Sequence, residues 1–161
     1  MKFLFLTDEF PPAFGGGIGM YVDTISQLLA QVGHSVTVLT ADSIDSVETP
    51  ETNRTIVRFM RQTGIKTLKL GYSITLYKDY LDHTLQQIEQ NGSYDIIEIT
   101  DFNAIGYYVI QAKYLGEPRL QKSQIVVHCH TPSFEINRID RNGDMQLDRW
   151  KNFAYALRMH F

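Results

Sequence analysis

A glycine-rich stretch near the start of the chain carries the residues best suited to binding an anion. It contains Gly15, Gly16, Gly17 and Gly19. Glycine lets the backbone approach an anion closely, and the first turn of a helix offers unpaired N–H groups and a partial positive charge. An apolar run precedes the glycines and a segment with helical spacing of apolar residues follows them, so we predict a phosphate-binding loop. A connector that merely happens to contain these glycines is the alternative.

Two histidines late in the chain are the candidate metal ligands. His128 and His130 lie two residues apart in an apolar segment, and such residues share one face of a strand, with Cys129 on the other. A zinc site needs about four ligands, and no second cluster of ligands is evident in the sequence. The acidic turn at residues 140–144 lacks the later glycine and glutamate of a calcium loop. We therefore expect no metal, a structural His128, and a Cys129 that is buried as a small hydrophobic residue.

Two other phosphate-binding patterns fit the sequence poorly. A dinucleotide-binding loop begins directly after its strand with the spacing G-x-G-x-x-G, whereas residues 8–14, with two prolines, separate Thr7 from Gly15 here. Asp42 stands where a ribose-binding acid would be expected, although an acid is common there by chance. A Walker loop requires a lysine directly after its glycines, and none follows. Dinucleotide and Walker-type nucleotide binding are therefore disfavoured.

The segments around these residues alternate between strands and helices. The predicted strands span residues 2–7, 34–40, 56–60, 94–100 and 124–130, and the predicted helices span 19–32, 72–90, 102–115 and 145–161. Residues 41–53 are polar and predict a surface loop. Such alternation is typical of βαβ units, in which helices cover both faces of a parallel sheet. We predict an α/β, Rossmann-like domain.

This topology should bring the candidate residues together. Ligands of open α/β sheets bind beyond the carboxyl ends of the strands. The glycine loop follows the first predicted strand, Asp101 follows the strand at residues 94–100, and His130 ends the strand at residues 124–130. We expect all three to line one edge of the sheet.

The composition limits the class of protein. A chain of 161 residues fits one domain, and its formal net charge of −3 gives no reason to expect nucleic acid or an anionic membrane as a partner. Its single cysteine excludes an internal disulfide and suits a reducing compartment. No apolar stretch approaches the length of a membrane span. We expect a cytoplasmic protein.

Several of these segments together resemble a known family. They are Thr-Asp-Glu-Phe-Pro-Pro at residues 7–12, the glycines up to residue 19, Gly-His-Ser-Val-Thr-Val at 33–38, Tyr-Asp-Ile-Ile-Glu at 94–98 and Val-His-Cys-His-Thr-Pro at 127–132. Their types and order resemble the amino-terminal part of family 4 retaining glycosyltransferases of the GT-B fold. The opening motif is fairly specific, whereas residues 41–90 add little.

The resemblance implies a fold and a reaction. GT-B enzymes have two Rossmann-like domains with a nucleotide-sugar donor in the cleft between them. The amino-terminal domain mostly handles the carbohydrate or other acceptor, and the second domain holds the nucleotide. Transfer retains the anomeric configuration and needs neither metal nor cofactor. Backbone N–H groups and basic residues of the second domain stabilise the leaving diphosphate, which is electrostatic stabilisation of developing charge.

The resemblance also assigns roles to individual residues. Gly16, Gly17 and Gly19 match the loop glycines that face the donor's diphosphate and sugar, and Gly15 is an extra neighbour. His130 matches the histidine that contacts the donor sugar near the reacting centre, with a hydrogen-bonded structural role as its alternative. Asp101 matches, more loosely, an acceptor-side group.

The chain departs from the family pattern at its end. It stops at Phe161, before the last strand and helix of the first domain and before the second domain with its paired glutamates. We expect a truncated domain that is inactive alone, and peripheral association of the full-length protein with a membrane stays open. The alternatives are a stand-alone module that binds nucleotides or sugar phosphates, or an assembly module that associates with itself through an exposed sheet edge.

Overall fold

The computed structural model describes residues 1–13, 16–61 and 74–130. Within these ranges the strands are β1 (Lys2–Thr7), β2 (Ser35–Asp42), β3 (Ser46–Glu51), β4 (Arg54–Met60), β5 (Ile96–Thr100) and β6 (Gln124–His128), and the helices are α1 (Gly17–Gln31), α2 (Ile74–Asn91) and α3 (Tyr107–Tyr114). Short 3-10 turns lie at Phe102–Ala104 and Pro118–Leu120. Gly15, the turn at 140–144 and the helix predicted at 145–161 lie outside the described residues.

The described strands form one sheet in the order β3-β4-β2-β1-β5-β6. Every neighbouring pair is parallel except β3 with β4, which is antiparallel. The predicted α/β, Rossmann-like fold is therefore confirmed. The prediction that residues 41–53 form only a surface loop is wrong, because β3 lies within them. This strand pairs on one side only and is largely exposed, so its sequence carries no buried apolar face that would reveal a strand.

Apolar residues on the two faces of the sheet form two separate cores. Leu4 and Leu6 of β1 belong to the core beneath α2 and α3, and Phe5 belongs to the core beneath α1. Successive residues of a strand point to opposite faces, so the continuous apolar run of β1 supplies both cores. The prediction of helices on both faces is confirmed. None of the helices in the described ranges has the length and apolar character needed to cross a membrane.

The helix predicted at residues 102–115 begins later than expected. Residues Phe102–Ala104 form a 3-10 turn in which Asn103 and Ala104 have φ values of 56° and 51°. The regular helix α3 starts at Tyr107, after the buried Gly106. The left-handed residues interrupt the helical path, so the regular helix begins only after them.

Tyr80 of α2 anchors the ends of two central strands. Its fully buried hydroxyl donates to the carbonyl oxygen of Thr7 at 2.6 Å and accepts from the N–H of Ala41 at 3.2 Å. Burial raises the pKa of this phenol well above its usual value, so it keeps the donated proton. The replacement Tyr80→Phe should lower the free energy of unfolding by about 1–3 kcal/mol, because it leaves two buried backbone groups without this partner.

Urea denaturation of Tyr80→Phe measures this effect. The matched control is Tyr114→Phe at the end of α3, where the side chain is 85% exposed, and we expect no change there. Equal stabilities of the two variants would contradict an anchoring role for the Tyr80 hydroxyl.

Candidate functional site

The carboxyl ends of β1, β5 and β6 lie side by side, and we call these ends with the loops that follow them the rim. Thr100 at the end of β5 pairs in register with His128 at the end of β6. Beyond them, the N–H of Asp101 donates to the carbonyl oxygen of His128 at 3.2 Å, and the N–H of His130 donates to Asp101 Oδ1 at 3.2 Å. The structure thus brings together Asp101 and His130, as the topology predicted.

β6 ends two residues earlier than predicted. The strand stops at His128, so His130 lies in the loop beyond it and is oriented by Asp101 rather than by strand pairing. The two histidine rings are nevertheless stacked, with centroids 4.5 Å apart and planes at 15°. The prediction that Cys129 is buried is wrong, because its side chain is exposed. Cys129 lies one residue beyond the end of β6, outside the regular strand pairing.

The glycine loop leads into the first turn of α1. Gly16 has extended backbone geometry with φ −68° and ψ 170°, and its carbonyl oxygen accepts from the N–H of Met20 at 3.1 Å. α1 begins at Gly17, two residues before the predicted start, so Gly17 and the buried Gly19 lie in its first turn. This turn contains no acidic residue. Its N–H groups therefore present the partial positive charge that the anion-binding hypothesis requires.

Glu9, which belongs to the opening motif but received no role from it, lies against this loop. A Cβ atom added to Gly16 would fall 2.3 Å from Glu9 Oε2, whereas one added to Gly17 would meet nothing within 4 Å. Gly16 is thus the point of close approach between the β1 loop and the start of α1. Acidic residues are common in loops, so the sequence alone gives Glu9 no role. Its contact with the glycine loop is visible only in the structure.

A cluster of polar and aromatic side chains lies beneath His130. Tyr21 of α1 packs against both histidine rings, with centroid distances of 4.5 Å to His128 and 5.0 Å to His130. Its hydroxyl donates to Glu98 Oε1 at 3.0 Å, and His128 Nδ1 lies 3.2 Å from the same oxygen. Glu98 belonged to the family-like segments, but the sequence did not indicate that it meets Tyr21.

The surroundings set the protonation of two of these groups. Burial and, secondarily, the neighbouring His128 lower the pKa of His130, against a smaller opposing influence of nearby acids that include Asp101 and Glu98. Burial, with further contributions from Glu98, raises the pKa of Tyr21 to about 12. At neutral pH the site therefore presents a neutral imidazole and a protonated phenol. A neutral imidazole has one donor and one acceptor nitrogen, which suits it to hydrogen bonding with a sugar hydroxyl.

A second network fixes the loop after β1. The carboxylate of Asp8 is buried and forms an ion pair with Arg61, and its Oδ2 accepts from Asn103 Nδ2 at 2.8 Å. These contacts link the loops that follow β1, β4 and β5. The left-handed conformation of Asn103 is explained in part by this bond, because it turns the amide back toward β1.

Other candidate sites find no support among the described residues. Asp42 Oδ2 accepts from Arg58 at 3.0 Å and Asp42 Oδ1 accepts from the N–H of Ser43 at 2.6 Å, so the carboxylate is engaged within the protein. The neighbouring N–H of Ser43, followed by weaker contributions including Arg58, lowers the pKa of Asp42. No group of three or more His, Cys, Asp or Glu side chains in the described ranges is placed to hold a metal ion.

Comparison with solved structures identifies the fold. Sucrose-phosphate synthase from Thermosynechococcus elongatus matches with a TM-score of 0.67 and 15% identity over 85% of this chain, which spans 35% of that protein. A second structure of the same synthase gives a TM-score of 0.50 and 14% identity, covering all of this chain and 97% of that one. The catalytic domain of starch synthase IV from Arabidopsis thaliana, bound to ADP and acarbose, has a TM-score of 0.49 and 17% identity over 81% of this chain.

The sequence comparisons identify the family. No curated protein sequence matches the chain. The sequence model described as Glycosyltransferase Family 4 matches residues 15–160, which includes the glycine loop, β5 and both rim histidines. With the mostly parallel sheet and the likeness to GT-B enzymes, this match confirms the resemblance seen in the sequence. The chain belongs to glycosyltransferase family 4 and has the Rossmann-like architecture of a GT-B amino-terminal domain.

Proposed function

We propose that this chain is the acceptor-side domain of a retaining hexosyltransferase. The enzyme moves a sugar from a nucleotide-sugar donor to a glycan or small-molecule acceptor, in cytoplasmic carbohydrate biosynthesis. One observation carries the proposal: the amino-terminal part of α1 packs against His130 at the rim. Tyr21, in the second turn of α1, contacts the His130 ring at 5.0 Å, so a ligand bound at the helix start would lie near that imidazole.

We assign a different role to each group of residues at the rim. Backbone N–H groups around Gly16, Gly17 and Gly19 bind the donor's diphosphate, where the helix start stabilises negative charge. The family pattern assigns the neighbouring Gly15 to the same site. The neutral imidazole of His130 hydrogen bonds to the donor sugar near its anomeric carbon. Asp101, whose Oδ1 holds the His130 N–H, faces the acceptor side. A second domain binds the nucleotide and supplies the basic groups that stabilise the leaving diphosphate.

The chemistry proposed needs no metal ion. The charge that develops on the diphosphate as the glycosidic bond breaks is stabilised by backbone N–H groups and basic side chains, which is the kind of preorganised electrostatic stabilisation that lowers reaction barriers. This chain supplies the start of α1 for that purpose.

Donor-dependent transfer by the native polypeptide tests the proposal. We would incubate it with a panel of nucleotide sugars and carbohydrate acceptors, measure the release of nucleoside diphosphate, and assign the anomeric configuration of the product by proton NMR. We expect one donor to be used, with retention of configuration and full activity in EDTA. Inversion would overturn the retaining mechanism, and loss of activity in EDTA would overturn metal independence.

Binding without turnover would support the alternative instead. If the native polypeptide bound a nucleotide or sugar phosphate in calorimetric titration but transferred no sugar to any acceptor, a stand-alone binding module would replace the enzyme as the interpretation.

A further inference from the structure

Glu98 occupies the centre of the polar cluster beneath His130. It lies on β5, and its side chain is only 15% exposed. It points to the face of the sheet that carries α1, since its neighbours Ile97 and Ile99 belong to the core on the opposite face. A carboxylate in this half-buried position requires hydrogen-bond donors. Tyr21 and His128 supply them, and both meet the same oxygen, Oε1.

Within the described ranges, the two partners of Glu98 are also the rings that pack against His130. The His128 ring is stacked on it at 4.5 Å, and the Tyr21 ring meets it nearly edge-on, at 5.0 Å with an interplanar angle of 69°. The third restraint is the bond from the His130 N–H to Asp101. That bond fixes the backbone, whereas the two aromatic contacts restrict rotation of the ring. Glu98 itself makes no direct hydrogen bond to His130.

We propose that Glu98 is a positioning residue, which fixes the orientation of the His130 ring through Tyr21 and His128. The role in transfer rests on the proposed function, whereas the orientation of the ring does not. An ionised carboxylate only accepts hydrogen bonds, so the contact to Glu98 places the ring proton of His128 on Nδ1 and fixes that ring in one orientation. The same oxygen holds the Tyr21 hydroxyl, and the two rings then enclose His130.

The consequence concerns the reacting geometry. A group that hydrogen bonds to a sugar near its anomeric carbon must have the right direction as well as the right distance. Small displacements from this geometry lower the reaction rate by large factors. Loss of the Glu98 carboxylate frees the His128 ring to rotate and releases the Tyr21 hydroxyl, so His130 samples orientations that do not meet the sugar. The donor's binding, which depends on the diphosphate and nucleotide, is unaffected.

Charges around His130 determine what a titration of its ring will report. Glu98 and Asp101 from β5 and its loop, and Glu9 from the loop after β1, favour the imidazolium, whereas His128 and burial oppose it. Tyr21, on the α1 side, is neutral at the relevant pH because its pKa is raised to about 12. Removing the Glu98 charge therefore shifts the His130 titration to lower pH, in addition to any change in orientation.

The experiment compares Glu98→Gln with wild type by NMR of the histidine rings in the labelled chain. Glutamine keeps the shape of the side chain and removes its charge. We expect the nitrogen resonances of His128 to shift, because a neutral amide oxygen accepts from Nδ1–H more weakly than a carboxylate does, and the His130 titration to move to lower pH. In the native enzyme, kcat should fall roughly tenfold to 100-fold while KM for the donor changes less than about twofold.

A second variant and a control separate positioning from stability. Tyr21→Phe removes one hydroxyl and keeps both aromatic contacts, so it reports on the hydrogen bond to Glu98 if Glu98→Gln fails to fold, and His130 resonances should shift in it as well. Glu89→Gln is the matched control, because Glu89 lies on the exposed side of α2 and pairs with Arg119; it should behave as wild type.

The outcomes distinguish this inference from the proposed function. Ring resonances and titrations of both histidines that match those of Glu89→Gln would overturn the positioning role. If Glu98→Gln changed the histidine resonances but kept the wild-type kcat, the orientation set by Glu98 would not matter for sugar transfer. If the native polypeptide transferred no sugar at all, the proposed function would fail, and the NMR measurements would still decide whether Glu98 orients His130.

Discussion

Replacing His130 by alanine in the native enzyme should lower kcat for sugar transfer by about 100-fold to 1,000-fold, the cost of removing one preorganised hydrogen-bonding group from a reacting centre. The imidazole is oriented by the N–H bond to Asp101 and by two ring contacts, and alanine removes its hydrogen-bonding nitrogens from that position. KM for the donor should change little, because the diphosphate binds elsewhere. Steady-state kinetics over a range of donor concentrations measures both constants.

The adjacent Cys129 provides the matched control for this loss. Its side chain is exposed and belongs to neither network at the rim, so Cys129→Ala should keep wild-type kinetics. Thermal unfolding of both variants should resemble that of wild type, because His130 lies in a loop beyond the end of β6. A His130→Ala enzyme with wild-type kcat would instead assign the histidine a structural role, which is the alternative that the sequence left open.

The central part of the fold was predictable because its sequence pattern follows from burial. β1 has the predicted bounds, residues 2–7, since a strand buried on both faces is apolar throughout. The left-handed Gly33 after α1, with φ 89°, confirms the predicted helix end. β3 was missed because an exposed edge strand leaves no apolar pattern. The late start of α3 was missed because it follows two left-handed residues, Asn103 and Ala104, and the side chain of Asn103 bonds to Asp8, which is distant in sequence.

Only those features of the candidate site that follow from the sheet topology could be predicted from the sequence. The rule that loops at the carboxyl ends of parallel strands share one edge was enough to place His130 beside Asp101. Residues that act through contacts distant in sequence gave no such signal. Tyr21 and Glu98 are 77 positions apart, and Asp8 and Asn103 are 95 apart. Their spacing carries no periodicity, so only the packing of α1 and the rim loops on the sheet identifies them.

Replacing Gly106 by alanine should destabilise the protein strongly, because the added methyl group has no room in the core. An added Cβ would lie 2.5 Å from Ile99 Cγ2 and 2.6 Å from its Cδ1. Ile99 is 2% exposed and lies within the core of β5, α2 and α3, so it has little room to move. Overpacking of this kind costs about 1–3 kcal/mol, occasionally more. In a chain of this size the melting temperature should fall by roughly 2–4 °C for each kcal/mol.

Gly17→Ala controls for the loss of a glycine, because a Cβ at Gly17 meets nothing within 4 Å and its stability should match that of wild type. A double-mutant cycle with Ile99→Ala then tests the cause. Shortening Ile99 creates a cavity and is destabilising alone, but it also removes the atoms that the new methyl group would strike. The two substitutions should therefore cost less together than the sum of their separate costs, with a coupling of about 0.5–3 kcal/mol. Additive costs would contradict the clash with Ile99 as the cause of the destabilisation, since the backbone of Gly106, with φ −81° and ψ 2°, is one that alanine readily adopts.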